Sequence, residues 1–430
     1  MFDWMEDIKN DDASFSTNNG PYIPEASDCM RCGLCISLCP TYKVSPIEAE
    51  SPRSRIRTID KIINDTAQAS IEEIVHLNNC TQCRACETIC PSQMAYGNLF
   101  DQAREKLVST NSAKLNTHFL APLGFKLIEN KMLFSKIIKL ISVYQKVGIA
   151  SFVKKTPLLR LLKLDKADAL LPEVSVEVLT DNYPTSQAFK GTVALFTGCL
   201  GAAFDIKTVK ASIKTLNAIG YSVLIPQQQG CCGALHQHQG QSETADRLAI
   251  NNLNVFNGLA VDAIIFTSSA CGLMLKEYEQ KESLLKSFTP PLFDITEFLC
   301  KYWPAELRLN DSTLSKKTIA VHEPCSQRNI SKVSDKRHDS VYQLLAKIPG
   351  INVQTLEDNQ TCCGAGGVHC LTHPEIAEPL KSLKLSHFQV SQADILVTTN
   401  IGCALHLNTE LTSNKVIHPI VLLAEQLNLS

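Results

Sequence analysis

Eighteen cysteines in 430 residues are the part of this sequence best suited to chemistry, and they are grouped. Eight lie between Cys29 and Cys90, none between 91 and 198, and ten between Cys199 and Cys403. The first eight form two copies of one pattern, Cys29-Met-Arg-Cys32-Gly-Leu-Cys35-Ile-Ser-Leu-Cys39-Pro40 and Cys80-Thr-Gln-Cys83-Arg-Ala-Cys86-Glu-Thr-Ile-Cys90-Pro91. Three closely spaced thiolates can wrap three irons of a cubane, and in paired motifs of this spacing the fourth ligand comes from the other motif. The pattern predicts Cys29, Cys32, Cys35 and Cys90 around one [4Fe-4S] cluster, and Cys80, Cys83, Cys86 and Cys39 around a second. Cys-x-x-Cys pairs also build tetrahedral zinc sites. Two intact four-cysteine motifs, each closing on Cys-Pro, favour iron and sulfur. The proline turns the chain away and removes a backbone donor. Arg53, Arg55 and Arg57 lie between the motifs. They are either close to the clusters, where positive charge favours the more negative reduced state, or ordinary surface charges.

The second set belongs to an internal repeat. GTVALFTGC at 191–199 matches KTIAVHEPC at 317–325, GYSVLIPQQQGCCGA at 220–234 matches GINVQTLEDNQTCCGA at 350–365, and VDAIIFTSSACG at 261–272 matches QADILVTTNIGC at 392–403. Three markers in one order at nearly one offset mean a duplicated domain. Each copy supplies one cysteine after its first strand, a Cys-Cys-Gly turn and one cysteine after a later strand. These are Cys199, Cys231, Cys232 and Cys271, then Cys325, Cys362, Cys363 and Cys403. Adjacent cysteines face one site only if the chain turns sharply, which Gly233 and Gly364 allow. Four soft ligands suit iron-sulfur or zinc, and the alternative is cysteine used as a small buried hydrophobe. Cys300 and Cys370 fall outside the repeat and read as ordinary core or surface thiols. His236, His238, His369 and His373 follow the turns as extra ligands, proton carriers at a quinone-like acceptor, or plain polar loop residues, the last being the simplest.

Elements must position these thiols. SPRSRIRTIDKIIND and IEEIVHL read as helices between the first motifs, giving an all-α two-cluster domain over 28–112. Residues 1–27 form an acidic tail expected to be flexible or lightly docked, with seven acids up to Asp28 against Lys9 alone. Residues 113–190 are a basic helical connector and linker. Between Lys114 and Lys166 there are eleven Lys/Arg against Glu129 and Asp165, a solvated face or a surface for anionic lipid or an acidic partner. PEVSVEVLTDNYPTSQ reads as an extended linker. Repeats over 191–310 and 311–430 each alternate strands with helical patterns such as DIKTVKASIKTLNAI, so each is an α/β unit and the whole is α+β multidomain. Ligands in such units collect beyond the carboxyl ends of strands.

Composition excludes several classes. With 41 Lys/Arg against 43 Asp/Glu the net charge is -2, too balanced for a nucleic-acid field. The start, MFDWMEDIKNDD, lacks a signal peptide's basic and apolar regions, and no apolar window reaches a membrane span. The expected location is cytoplasmic, peripheral on the inner face of the membrane if the connector meets lipid. No G-x-G-x-x-G follows a strand and no Walker A signature occurs, so nothing here predicts a nicotinamide, flavin or nucleotide site.

Two Cys-Pro motifs, SPRSRI between them, a basic connector and two CCG repeats together resemble the iron-sulfur subunits of glycolate oxidase. NNCTQCRACETICPS, GCCGA and VTTNIGC carry the resemblance, which covers nearly the whole chain after residue 28. The subunits of anaerobic glycerol-3-phosphate dehydrogenase, D-lactate dehydrogenase and heterodisulfide-reductase-like complexes share these modules. The resemblance implies two [4Fe-4S] clusters, FAD on partner oxidase subunits that convert glycolate to glyoxylate, and a quinone or similar acceptor. A metal-stabilised scaffold without redox work is the competing class. One departure concerns the CCG half: heterodisulfide-reductase-like domains place a second cysteine three residues after the last, where this chain has Met274 and His406. That leaves further iron-sulfur, zinc or no metal open there.

Overall fold

The computed structural model describes residues 25–110, 121–154, 156–162, 164–281, 284, 287–310, 314–328, 336–411 and 416–427. The acidic tail, apart from its last three residues, lies outside them. The first domain is helical, as its sequence predicts. Ser51 caps the helix Pro52–Asn64 by accepting from the Ser54 N–H at 3.2 Å, with Pro52 at the first position, where no N–H is needed. Ser70 and Glu73 form a reciprocal capping box on Ile71–Asn78. These helices and Tyr96–Ser109 close over Ile56, Ile59, Leu77, Leu99 and Phe100.

The connector is a run of separate helices, Ala121–Glu129, Lys131–Lys146, Ile149–Lys154, Leu158–Leu161 and Asp165–Ala169, where periodicity alone suggests a more continuous one. Asn130 caps the second by accepting from Leu133 N, Gly148 is left-handed at φ +80°, and Pro157 ends the run before Leu158.

The linker after it is mostly irregular, but Asn182–Tyr183 forms β1, an antiparallel edge on the first sheet. The rest of that sheet is parallel: β2 (Gly191–Phe196), β3 (Tyr221–Leu224), β4 (Ala263–Phe266) and β5 (Leu292–Asp294), in the order β1-β3-β2-β4-β5. The second repeat gives β6 (Thr318–Val321), β7 (Asn352–Thr355), β8 (Ile395–Val397) and β9 (Val416–Ile417), parallel, in the order β7-β6-β8-β9. The apolar runs GTVALF and AIIF are almost wholly buried because helices cover both faces.

Each repeat keeps an apolar cluster of its own, yet the two also share a core. Val193, Val223 and Ile265 of the first sheet share one apolar cluster with Ile319, Val321 and Val397 of the second. Helix Ile206–Ala218 packs on Pro419–Glu425, with Lys214 Nζ donating to Ala424 O at 2.7 Å. Among the described residues, no helix is long and apolar enough to cross a membrane.

Candidate metal centres

The two N-terminal motifs adopt the same backbone. Arg31 and Gly33 in the first, and Gln82 and Arg84 in the second, are left-handed at φ +56°, +86°, +55° and +55°. Left-handed residues at matching positions curl each motif so that its N–H groups face inward, a concavity suited to anionic sulfur. Cys39, Cys80, Cys83 and Cys86 line one small cavity together with Arg55 and Tyr96. Cys80 Sγ accepts from Gln82 N at 3.4 Å and Tyr96 Oη at 3.5 Å, and Cys39 Sγ accepts from Arg55 Nη1 at 3.6 Å. Burial, then Cys83, Cys80 and Cys39 among its neighbours, pushes the Cys86 thiol well up. Burial raises Cys80 and Cys83 in the same direction, and loading metal onto raised thiols must release their protons. An all-thiol cavity lined with N–H and O–H donors fits the group the spacing predicts.

The other four thiols lie nearer the surface. Cys32 is exposed, while Cys29, Cys35 and Cys90 are half-buried. Cys35 is pushed up to about 11 by burial and by Cys29 beside it. Cys29 and Cys90 pack against the same helical core.

The three arginines separate. Arg55 is fully buried, ion-paired with Glu50, and donates to His76 O at 2.7 Å as well as toward Cys39. Glu50 is held further by His76 Nδ1 and Asn79 Nδ2, each at 2.6 Å, so the cation beside the cavity is locked in place. Arg53 grips Glu48 at 2.7 and 3.0 Å and donates to Arg31 O at 3.2 Å. Arg57 is exposed.

In the repeats the cysteines follow the carboxyl ends of β2, β4, β6 and β8. Gly233 and Gly364 are left-handed at φ +89° and +88° and donate their N–H to Cys231 and Cys362 Sγ, both at 3.4 Å. The turn strings the thiols in one order in each copy. Cys199 contacts Cys231 at 3.5 Å, and Cys232 meets Cys231 and Cys271. Cys362 likewise meets Cys325 and Cys363, and Cys363 meets Cys403. Thiol hydrogen bonds from its neighbours hold Cys362 well below the usual cysteine value and raise Cys325 and Cys363.

All eight line one largely apolar cavity of about 340 Å³ between the repeats, walled also by Leu170 and Leu171 of the connector. The N-terminal domain reaches the same place, since Cys83 and Ala85 pack against Cys362 and Cys325. Cys370, expected to be an ordinary thiol, is buried on that cavity's wall. Cys300 lies elsewhere, donating to Ser340 O at 3.3 Å.

The four histidines after the turns are not loop residues. His236 and His238 stand on the helix Ala234–His238, His369 opens His369–Thr372, and His373 caps the next helix. His236 pairs with Gln241 Oε1 at 2.7 Å and packs on Phe125. His369 bonds Asn79 O at 3.0 Å across the domain boundary and stacks on His373. Burial pulls His369 down to about 4. Met274 is buried among the apolar side chains around Cys231 and Cys232, and His406 donates to Ala377 O. Sequence reasoning passed over His322, fully buried behind β6, whose ring comes together with Cys363 and Cys403. Its only signal was a lone polar ring in the apolar run KTIAVHEPC.

Comparison with known proteins matches residues 25–94 to a 4Fe-4S dicluster domain, and residues 193–276 and 319–408 to a cysteine-rich CCG domain. The chain is 31% identical to the probable glycolate oxidase iron-sulfur subunit of Bacillus subtilis (strain 168), over 89% of this chain and 88% of that one. It is 27% identical to the glycolate oxidase iron-sulfur subunit of Escherichia coli (strain K12), covering 88% and 89%. It is also 24% identical to a subunit of the dihydromethanophenazine:CoB–CoM heterodisulfide reductase of Methanosarcina barkeri, covering 95% of each. A dicluster domain with this thiol geometry, joined to paired CCG units, makes the chain an iron-sulfur electron-transfer subunit of an oxidoreductase, and it belongs to the family of glycolate oxidase iron-sulfur subunits.

Proposed function

We propose that this chain takes electrons from a partner flavoprotein that oxidises glycolate to glyoxylate and delivers them to a quinone-like acceptor. Glycolate oxidation gives up two electrons and two protons at FAD on the partner, and clusters held by Cys29, Cys32, Cys35 and Cys90, and by Cys80, Cys83, Cys86 and Cys39, would carry the electrons singly. Two electrons and two protons then reduce the acceptor to its quinol. The observation that carries the proposal is the continuity of thiols from Cys80 through Cys83 to Cys362 on the wall of the inter-repeat cavity. The cavity's size and apolar lining suit a small hydrophobic acceptor. At the opposite end Cys32 is exposed between Met30 and Leu34, which are 66% and 51% exposed, an apolar entry face for the flavin subunit.

Cys83→Ser tests this in the assembled complex. Electron flow from glycolate to acceptor should fall at least about tenfold while the subunits still co-purify. Loss of assembly with no separate redox defect would instead favour a scaffold, and glycerol 3-phosphate or D-lactate supporting turnover in place of glycolate would reassign the donor.

The connector supplies a peripheral membrane contact in this proposal. From 130 to 164 it carries eight Lys/Arg and no acid. Met132, Leu140, Val143, Val147 and Leu161 are exposed along it. Sedimentation with anionic vesicles should recover the chain and neutral vesicles should not, and replacing Lys131, Lys136, Lys139 and Lys146 by Gln should abolish the difference. Equal recovery with both vesicle types would remove the contact.

A further inference from the structure

Both Cys-Cys-Gly turns are followed by a histidine at the same step. Aligning GCCGALHQH at 230–238 with TCCGAGGVH at 361–369 pairs His238 with His369. Both residues face the N-terminal domain, but they meet different chemistry there. His369 Nε2 is spent on the Asn79 carbonyl at 3.0 Å, and burial, which pulls this ring down to about 4, keeps it neutral at neutral pH. His238 Nδ1 instead lies 3.9 Å from Asp101 Oδ1, on the helix Tyr96–Ser109. Nδ1 is buried and makes no direct hydrogen bond, and one bridging water or a small turn of the ring spans the distance to the carboxylate. The backbone beneath is fixed, because His238 O accepts from Gln82 Nε2 at 3.2 Å.

His238 also lines the cavity between the repeats, which His369 does not. Leaving the thiols aside, the described lining holds one other ionisable side chain, Asp205. Its Oδ1 is committed to Thr208, accepting from Oγ1 at 2.7 Å and from the N–H at 3.4 Å, at the start of the helix Ile206–Ala218. The remaining polar lining is hydroxyl and amide groups, which do not give up a proton at neutral pH. His238 is therefore the one imidazole that can serve the cavity, and its side chain is 28% exposed, so water can return a proton to it.

We propose that His238 is the proton donor to a quinone reduced in the inter-repeat cavity, with Asp101 as the positioning residue behind its ring; this rests on the acceptor reading above and deepens it. One quinone oxygen gains a proton from the imidazole with the first electron, and the other oxygen gains one with the second, giving the quinol. Between the two steps the ring takes a proton back from water. Two electrons leave the clusters, two protons leave solvent, and no further reactant is consumed. Arg84 and Arg104 lie near enough for the Asp101 charge to act on both, so the carboxylate is held from behind while it orients the imidazole. Electrons reach the cavity from the side of the second repeat, where Cys83 packs on Cys362, and protons reach it from the first.

The anaerobic full chain, its clusters reduced with dithionite and freed of excess reductant, tests this by stopped-flow reoxidation followed in the cluster absorbance. Menadione needs protons, and ferricyanide, which takes one electron and no proton, is the control. His238→Gln should lower the limiting rate with menadione at least about a hundredfold, with the half-saturating menadione concentration and the ferricyanide rate unchanged. Asp101→Asn should show the same split at a smaller size, about tenfold. A His238→Gln chain as fast as wild type with menadione overturns the donor and leaves the acceptor reading standing. Equal losses with both acceptors overturn it too, since a missing proton cannot slow ferricyanide. A wild type that reduces ferricyanide but not menadione removes the acceptor reading, and the donor with it. If His238→Gln does not fold, Asp101→Asn decides by the same split.

Discussion

The two CCG repeats share strand order, turn geometry and the sequence of their four thiols, yet the N-terminal domain meets them by different means. It reaches the first repeat through a buried ion pair, Arg84 with Glu277 at 2.6 Å, the guanidinium only 8% exposed. It reaches the second through thiol packing, Cys83 on Cys362, and an exposed clip in which Lys43 Nζ lies 3.4 Å from Asp358 and donates to Thr361 Oγ1 at 2.6 Å. The first repeat thus holds the domain by a buried charge pair, while the second, which also takes the His369 bond to Asn79 O, receives its chemistry. Two copies of one thiol arrangement thus meet the same third unit through different contacts.

The anchor is where the comparison breaks with the largest effect. Arg84→Ala leaves Glu277 partly buried without its cation and empties the space against Gly97, where a Cβ would fall 2.1 Å from Arg84 Nε. The loss should be about 3–5 kcal/mol. Lys43→Ala removes a solvent-screened pair and should cost under about 1 kcal/mol. Urea unfolding of the anaerobic full chain measures both, and equal losses would show that the second repeat anchors the domain as firmly as the first.

Much of this was legible in the residues. Cysteine spacing identified both thiol sets and their Cys-Cys-Gly turns, because a curled ligand loop demands fixed short intervals. The repeat offsets identified two parallel α/β units, since βαβ crossovers impose their own period. What stayed hidden depends on contacts far apart in sequence. Arg53, Arg55 and Arg57 look alike in SPRSRIR, and only Glu50, His76 and Asn79 folding around Arg55 make it the buried member. The histidines after the turns read as loop residues because short helices of four or five residues carry no periodic signal. The single apolar cluster shared by both sheets was equally invisible, because periodicity shows which face of an element is buried but not what covers it.

The smaller test sharpens the comparison at the turns themselves. Both glycines are left-handed, where an L side chain is strained by about 1–2 kcal/mol. Their surroundings differ: a Cβ at Gly233 would lie 3.1 Å from Ala245 O, but at Gly364 it would lie 2.7 Å from Ala377 O and 3.0 Å from Ala377 Cα. Both contacts are with helix backbone, which cannot rotate aside as a side chain can, and the second is the tighter. Gly233→Ala should therefore cost about 1–2 kcal/mol, mostly conformational strain with a small shift of the facing helix, and Gly364→Ala about 2–3 kcal/mol because the helix Pro374–Val390 must shift further. The same urea unfolding measures both. A larger loss at Gly233 would mean that the first turn is the tighter one, and that the inequality between the repeats does not extend to the backbone holding their thiols.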